Sequence, residues 1–209
     1  MGEAKRKRQQ AQHINHIISQ VDFARVAGAV HRLARAASEQ FGQDCVLQAL
    51  LAQSILDRLG VKSELCVGKA AWRVGDGDGD VISHVWSSDM KITHPKQLPF
   101  HAWLRVGSYI FDVTTEQLRD KAQQLDVLDG GKTQVDWAPD YLLLPVDEVA
   151  TYEAVRSKHA GLSYYKQDAA LQALVLAPEN FSGLDPHDAN FVWIAYQNPS
   201  AQVLGPFNT

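Results

Sequence analysis

The spacing of apolar residues predicts that the first part of the chain is helical. Between about Gln10 and Gln40, apolar side chains recur every three to five residues, as they do along one face of a helix. A second helix is predicted to begin after Asp44, a suitable N-cap residue, and to end at Gly60. The apolar stripe of this second helix consists of Leu47, Leu50, Leu51, Ile55 and Leu59.

After Gly60 the pattern changes to short alternating segments that are separated by turn-forming residues. It predicts strands at 61–67, in "VISHVWSS" and on either side of Gly107, a strand or loop in "DYLLLPVDEV", and a late strand in "NFVWIAYQNP". A weakly patterned segment at 150–166 predicts a helix. Helices that precede a largely antiparallel sheet indicate an α+β fold rather than an alternating parallel one.

The segment "FHAWLRVGSYIFDVTT", residues 100–115, predicts a β-hairpin. Gly107 and Ser108 suit a two-residue type II′ turn, because glycine readily adopts the positive φ of the first central position. Such a turn fixes the register of the two strands. The expected pairs are Val106 with Tyr109, Arg105 with Ile110, and Leu104 with Phe111.

This register brings His101 and Asp112 together on one face of the hairpin, as diagonal neighbours. A carboxylate in that place can accept a hydrogen bond from one imidazole nitrogen, which fixes the tautomer and leaves the other nitrogen for chemistry. The opposite face is nearly all apolar and is expected to face the core. The simpler interpretation of His101 and Asp112 is two polar residues on a solvated face of the sheet.

Cys45 is a candidate nucleophile because it directly follows the predicted N-cap of the second helix. A thiolate in the first turn of a helix is stabilised by the helix dipole and by free N–H groups. The simpler interpretation is an inert, buried thiol, since cysteine is among the most buried residue types. Cys66 lies in an apolar strand without polar neighbours and is predicted to be structural.

The segment "DCVLQALLAQSILDRLGVKSELCVG", followed by "HAWLRVGSYIFDVT", resembles the transglutaminase-like cysteine proteins of the papain-like superfamily, and in particular the bacterial transglutaminase-like cysteine peptidases. In that pattern a cysteine opens a helix, and an H-A-W strand and an aspartate on the next strand follow. The resemblance covers about residues 40–115, which would form the catalytic core. An aromatic residue often follows the cysteine in this family, whereas Val46 stands there in this chain.

The resemblance implies a papain-like α+β fold in which the nucleophile helix packs on an antiparallel sheet. It implies a catalytic triad of Cys45, His101 and Asp112, and an acyl-enzyme route at amide or peptide bonds without a cofactor. The backbone N–H of Cys45 and a nearby side chain, Gln43 first and Gln40 second, would hold the oxyanion. The substrate would be a peptide, a protein or a small amide. The alternative is a catalytically inactive binding module on the same scaffold.

Other groups of residues give weaker predictions of a functional site. His84 lies in a second His-x-Trp motif and is the rival partner of Cys45, but no carboxylate stands at a derivable distance from it. His84 and His94 could also join Cys45, His101 and Asp112 as metal ligands. None of these residues has close ligand spacing, so no metal site is predicted. The "DGDGD" run does not place Gly and Glu as an EF-hand requires, and it predicts an acidic surface turn.

Composition and charge set the remaining expectations. A chain of 209 residues that is 45% hydrophobic has room for one good-sized core, predicted at 11–209 after a basic, solvated tail at 1–10. The formal charge of -4 argues against nucleic acid as a partner, although the "KRKR" run could act as a nucleic-acid arm. Apolar runs are too short to cross a membrane, and only two cysteines occur. We therefore expect a soluble, cytoplasmic protein.

Overall fold

The computed structural model describes residues 16, 18–38, 42–85, 99–157 and 159–208. Its fold is α+β, as the sequence predicts. The helices of the described chain are α1 (Phe23–Ala37), α2 (Cys45–Arg58), α3 (Leu118–Asp129), α4 (Tyr152–Ser157), α5 (Ala169–Val175) and α6 (Pro186–Gln197). Short 3-10 helices occupy Thr115–Gln117 and Val146–Glu148.

The strands are β1 (Glu64–Arg73), β2 (Val81–Ser83), β3 (His101–Val106), β4 (Tyr109–Asp112), β5 (Leu142–Pro145) and β6 (Ser163–Gln167). They form one antiparallel sheet in the order β2-β1-β3-β4-β5, and β6 pairs with β1 beside that path. Every described strand pair is antiparallel, so the predicted sheet type is confirmed.

The long strand β1 organises the sheet. Its residues Gly68, Ala71 and Trp72 each have two partners, so β6 lies on one edge of β1 while β2 and β3 share the other. On this shared edge β2 ends where β3 begins. His84 follows β2 and its N–H donates to the carbonyl of Ala70 at 2.8 Å, whereas His101 opens β3 opposite Gly68. The two histidines therefore become neighbours along one strand edge.

Both faces of the sheet are covered. One face carries helices α1, α2 and α6 and a core that includes Val30, Ile55 and Phe111. The opposite face buries an aromatic cluster around Trp72, Trp103 and Tyr165. This second face corrects the simpler interpretation of the hairpin, because the side of β3 and β4 that carries His101 and Asp112 is covered by Leu118 and Ala122 of α3 and by Trp137 instead of facing solvent.

The predicted hairpin is confirmed in its register. Val106 pairs with Tyr109, Arg105 with Ile110, and Leu104 with Phe111. Gly107 has a φ of 60°, and no non-glycine residue in the described chain has a positive φ. This combination fits a type II′ turn and excludes type I′, which needs a positive φ at both central residues.

The second predicted helix is also confirmed, and its bounds explain the position of Cys45. Helix α2 starts at Cys45 and stops just before Gly60, whose φ of 75° is the left-handed conformation that ends helices. Asp44 is the N-cap residue, but its side chain makes no hydrogen bond to the helix backbone. It accepts a hydrogen bond from Gln48 Nε2 at 2.7 Å instead.

Several predicted elements are wrong. The segment "NFVWIAYQNP" belongs to helix α6, because Asp185 caps its first turn and Pro186 occupies a position where helices tolerate proline. The predicted helix at 150–166 is a short helix followed by strand β6, with Gly161 between them at a φ of 96°. Helix α3 was not predicted at all, and β1 runs six residues beyond the predicted strand end at Val67.

Some predictions concern residues outside the described chain. They are the basic tail at 1–10, the start of the first predicted helix, most of "KITHPKQLP" and the end of "VISHVWSS". Within the described part, α1 runs through Gly28 without interruption. None of the described helices is both long and apolar enough to span a membrane.

Candidate active site

Cys45 and His101 each begin a secondary-structure element, and their side chains lie close enough to interact. Cys45 is the first residue of α2 and is half-buried, and it contributes to the raised pKa of His101. His101 is the first residue of β3 and is buried. The thiol therefore lies at the N-terminal end of a helix, where backbone N–H groups have no partner within the helix.

The His101 ring is oriented by Asp112. Its Nε2 donates to Asp112 Oδ2 over 2.7 Å, so the ring nitrogen that remains for Cys45 is Nδ1. The predicted contact between the two strands of the hairpin is thus present as a direct hydrogen bond. Because the carboxylate can only accept, it fixes the proton on Nε2.

Asp112 is fully buried, and both oxygens of its carboxylate are saturated with donors. The N–H and the hydroxyl of Thr114 donate to Oδ1 over 2.9 and 2.8 Å. His101 and the hydroxyl of Tyr165 donate to Oδ2, the latter over 2.8 Å. Trp72 Nε1 donates in turn to the Tyr165 hydroxyl over 2.9 Å. Four donors hold this carboxylate in one place and favour its charged form.

Burial and charge shift the pKa values of His101 and Asp112 in opposite directions. Burial by itself lowers the pKa of His101, but the charge of Asp112 and the hydrogen bonds to Asp112 and Cys45 outweigh it and raise that pKa to about 10. Burial by itself raises the pKa of Asp112, and the charge of His101 together with hydrogen bonds from His101, the Thr114 N–H and Tyr165 lowers it. At neutral pH the pair is therefore an imidazolium and a carboxylate.

Aromatic rings enclose the imidazole of His101. The edge of Trp72 approaches it with a centroid distance of 4.7 Å, and Trp103 lies parallel to it at 6.2 Å. His84 stacks on the remaining side at 5.9 Å. These contacts help to hold the ring in the orientation that bonds Asp112.

His84, the rival histidine, is in the site but has a different character. Burial, followed by the positive charges of His101 and Lys121, lowers the pKa of His84 to about 3, so the ring is neutral at pH 7. No described residue forms a hydrogen bond with its ring. His84 is therefore a neutral ring that packs against His101. The imidazole that is charged and oriented by a carboxylate is that of His101.

The other candidate residues are not part of this arrangement. Cys66 is buried with an apolar environment, and burial raises the pKa of its thiol to about 11, as expected for a structural cysteine. Gln43 is exposed, two residues before Cys45. Gln40 and His94 lie outside the described residues. Among the residues the structure does describe, no group of three acidic, histidine or cysteine side chains could hold a metal ion.

Sequence reasoning missed Tyr165, Thr114 and Trp72, which support the carboxylate. Thr114 could have been found, because an aspartate side chain commonly accepts a hydrogen bond from the backbone N–H two residues further on. Tyr165 was hidden by the wrong helix prediction, although the two tyrosines after Gly161 favour a strand. Trp72 lies beyond the predicted end of β1, so nothing in the local pattern placed it beside His101.

Comparisons with known proteins bear on the fold alone. No protein-family model and no curated protein matches the chain. Among solved structures, the chain is similar to a crystal structure described as that of genomics APC5867, with a TM-score of 0.60 and 14% sequence identity. The similarity covers 90% of this chain and 84% of that one. At this level of identity the two proteins share an α+β fold, and nothing further follows for the activity of this chain.

Proposed function

We propose that this protein is a cysteine-dependent hydrolase or acyltransferase that acts on amide or peptide bonds. Cys45 is the nucleophile, His101 the general base and acid, and Asp112 the residue that orients His101. The observation that carries the proposal is the imidazole of His101, which is bonded to a fully buried, saturated carboxylate and interacts with the half-buried thiol at the start of α2. A nucleophile, a base and an orienting group in this order are the components of acyl-transfer catalysis.

The first half-reaction transfers the acyl group to sulfur. The thiolate of Cys45 attacks the carbonyl carbon, a C–S bond forms, and the carbonyl oxygen becomes an oxyanion. The imidazolium of His101 then gives its Nδ1 proton to the leaving amine, the C–N bond breaks, and a thioester remains on Cys45. The raised pKa of His101 suits this step, because the proton is already present at neutral pH.

The second half-reaction releases the acyl group. The neutral imidazole accepts a proton from water or from a second amine, whose oxygen or nitrogen attacks the thioester carbon. The C–S bond breaks, and the pair of thiolate and imidazolium is restored. Water as the acceptor gives hydrolysis, and an amine gives acyl transfer, so one set of residues supports both outcomes.

The oxyanion would be held at the start of α2. The backbone N–H of Cys45 lies in the first turn of this helix, where donors have no partner within the helix. Gln43 remains the proposed side-chain donor, because it is in the loop that leads into α2 and is exposed to an incoming substrate.

The family suggested by the sequence fits the same proposal. A cysteine that opens a helix, an H-A-W strand and an aspartate on the next strand are the pattern of transglutaminase-like proteins in the papain-like superfamily. In this chain the three residues of that pattern converge. Both cysteines are free thiols, which suits the cytoplasmic location that we also propose.

The alternative, an inactive binding module on the same scaffold, predicts a Cys45 that is deeply buried or far from His101. The half-buried thiol and its interaction with His101 favour the enzyme instead. A module that only binds a partner also has no need of a buried carboxylate that fixes an imidazole.

The first test is the rate of alkylation of each cysteine by iodoacetamide between pH 5 and pH 9, measured by mass spectrometry. We expect Cys45 to react fast at pH 6, where an ordinary thiol, which titrates near about 8.5, reacts slowly. Cys66 in the same molecule is the internal control, since its thiol is buried. His101→Ala should remove the fast reaction of Cys45 and leave Cys66 unchanged.

A substrate screen follows, with Cys45→Ala as the matched inactive variant. Release of amine from a library of peptide amides should be lost in Cys45→Ala and retained in Cys66→Ala. A Cys45 that reacts no faster than Cys66, or an activity that survives Cys45→Ala, would refute the proposed function.

A further inference from the structure

One face of helix α3 packs against the loop at Gly42, which leads into α2, the helix that begins at Cys45. Gln117, directly before α3, accepts a hydrogen bond from the N–H of Gly42 over 2.9 Å. Gly42 has a φ of 86°, and a Cβ at this residue would lie 3.2 Å from Nε2 of Gln124. Two side chains, seven residues apart, thus lie on the loop that ends at Cys45.

Lys121 lies between these two glutamines on the same face of α3. Residues three and four apart stand above one another on a helix, and Lys121 is four residues after Gln117 and three before Gln124. Helix α3 also contacts β2, the strand that ends just before His84. Lys121 is therefore on the part of α3 that packs between the loop before Cys45 and the strand before His84. In agreement with this position, its positive charge lowers the pKa of His84, and the charge of Cys45 raises the pKa of Lys121.

The ammonium of Lys121 has no acidic partner among the described residues. No salt bridge or hydrogen bond of the described chain includes Lys121, although its side chain is half-buried. Burial lowers the pKa of Lys121, and the charge of Cys45 acts in the opposite direction. A half-buried cation with no carboxylate beside it is costly in the free protein. An anionic ligand that enters the site would compensate for this cost.

We propose that Lys121 binds a carboxylate of the substrate next to the bond that Cys45 attacks. The inference rests on the proposed function and narrows its substrate class to peptides or amides with a free carboxylate or an acidic side chain beside the reacting carbonyl. Lysine suits this role as a point charge on a flexible stem. It leaves the acyl chemistry to Cys45 and His101 and determines which substrates are held there.

The test uses two alkylating reagents of nearly the same size that differ in charge. Iodoacetate carries a carboxylate one carbon from the reacting centre, and iodoacetamide carries a neutral amide in its place. The measured quantity is the second-order rate constant of iodoacetate at Cys45 divided by that of iodoacetamide, at pH 7 and low ionic strength. In Lys121→Gln we expect this ratio to fall about fivefold to tenfold, because one positive charge near the thiol is lost. Lys121→Arg should keep most of the ratio, and added salt should reduce it in the wild-type protein.

The matched control is Lys62→Gln, which removes the same charge beyond the far end of α2. A helix of this length puts that end roughly 20 Å from Cys45. The rate with iodoacetamide within each variant shows whether the site is still assembled. If Lys121→Gln changes the ratio no more than Lys62→Gln does, the inference about Lys121 is wrong. Fast labelling of Cys45 by iodoacetamide in the same variants would still support the proposed function. If Cys45 reacts with neither reagent faster than Cys66 does, both proposals fail.

Discussion

Trp72 and Tyr165 come from neighbouring strands, and the indole Nε1 of Trp72 donates a hydrogen bond to the hydroxyl of Tyr165 over 2.9 Å. The same hydroxyl donates onward to Asp112 Oδ2. Burial and the negative charge of Asp112 raise the pKa of Tyr165 well above its ordinary value, so this hydroxyl keeps its proton. The indole and the phenol thus connect β1 and β6 to the carboxylate that orients His101.

Tyr165→Phe should destabilise the protein by about 1–3 kcal/mol, because it leaves the buried Trp72 Nε1 without an acceptor and removes one donor from Asp112. The free energy of unfolding in urea measures this loss. Tyr164→Phe is the matched control, as it changes the adjacent residue of the same strand, whose side chain is only half-buried. Equal losses in the two variants would contradict the role given to the Tyr165 hydroxyl.

Asp112→Asn should slow the reaction of Cys45 with iodoacetamide at pH 6 by tenfold or more. The amide keeps the shape of the side chain but removes the negative charge that holds His101 as an imidazolium, and the pKa of His101 should fall from about 10. Removing one partner of a buried ion pair also costs about 3–5 kcal/mol of stability. Alkylation rates and urea unfolding measure the two effects separately, and unchanged alkylation at pH 6 in a folded variant would argue against the pair.

The sequence was sufficient for the local part of this site. The glycine turn and the alternation of side chains in the hairpin determine that His101 and Asp112 share a face, and the N-cap pattern places Cys45 at the start of a helix. Both features depend on residues close together in the chain. The α+β class follows from the same local patterns.

The distant part of the site could not be predicted in this way. Tyr165 reaches Asp112 only because β6 pairs with β1, and Lys121 comes near the site only because α3 packs on the loop at Gly42. Neither contact can be inferred from the spacing of residues within a short segment of the sequence. The aromatic composition of "NFVWIAYQNP" favoured a strand, but the cap at Asp185 and packing against α1 and α2 produced a helix.

His84→Phe should make the protein less sensitive to acid. The pKa of His84 is lowered to about 3 by burial and then by the charges of His101 and Lys121, whereas an unfolded histidine titrates near about 6.5. As the pH falls from 6.5 toward 3, the unfolded chain binds a proton at this histidine and the folded protein does not. The free energy of unfolding therefore falls by up to about 1.4 kcal/mol per pH unit.

Phenylalanine keeps a ring against His101 and Trp72 but does not titrate. The free energy of unfolding in urea at pH 4, 5, 6 and 7 should therefore fall less steeply toward low pH in His84→Phe than in the wild-type protein. Identical slopes would show that His84 does not control the acid response.

Gly68→Ala should disrupt the sheet at the site. Gly68 pairs with His101 on one side and Gln167 on the other, and a Cβ there would lie 2.2 Å from the carbonyl oxygen of Lys166. Backbone atoms cannot yield as a side chain can, so we expect a loss of about 3 kcal/mol or more. Gly79→Ala is the control, because a Cβ at Gly79 meets no atom within 4 Å. Thermal unfolding of both variants gives the comparison.

The hydrogen bonds that join Trp72, Tyr165, Asp112 and His101 can all be present only late in the synthesis of the chain. Cys45 is made early by the ribosome, but Tyr165 is supplied by β6, which is one of the last strands of the chain and pairs with β1. A nascent or truncated chain that ends before Ser163 lacks this support for Asp112. We therefore expect such a chain to hold Asp112 and His101 less firmly, so that the pairing of β6 with β1 completes the support of the site only after most of the chain has been made.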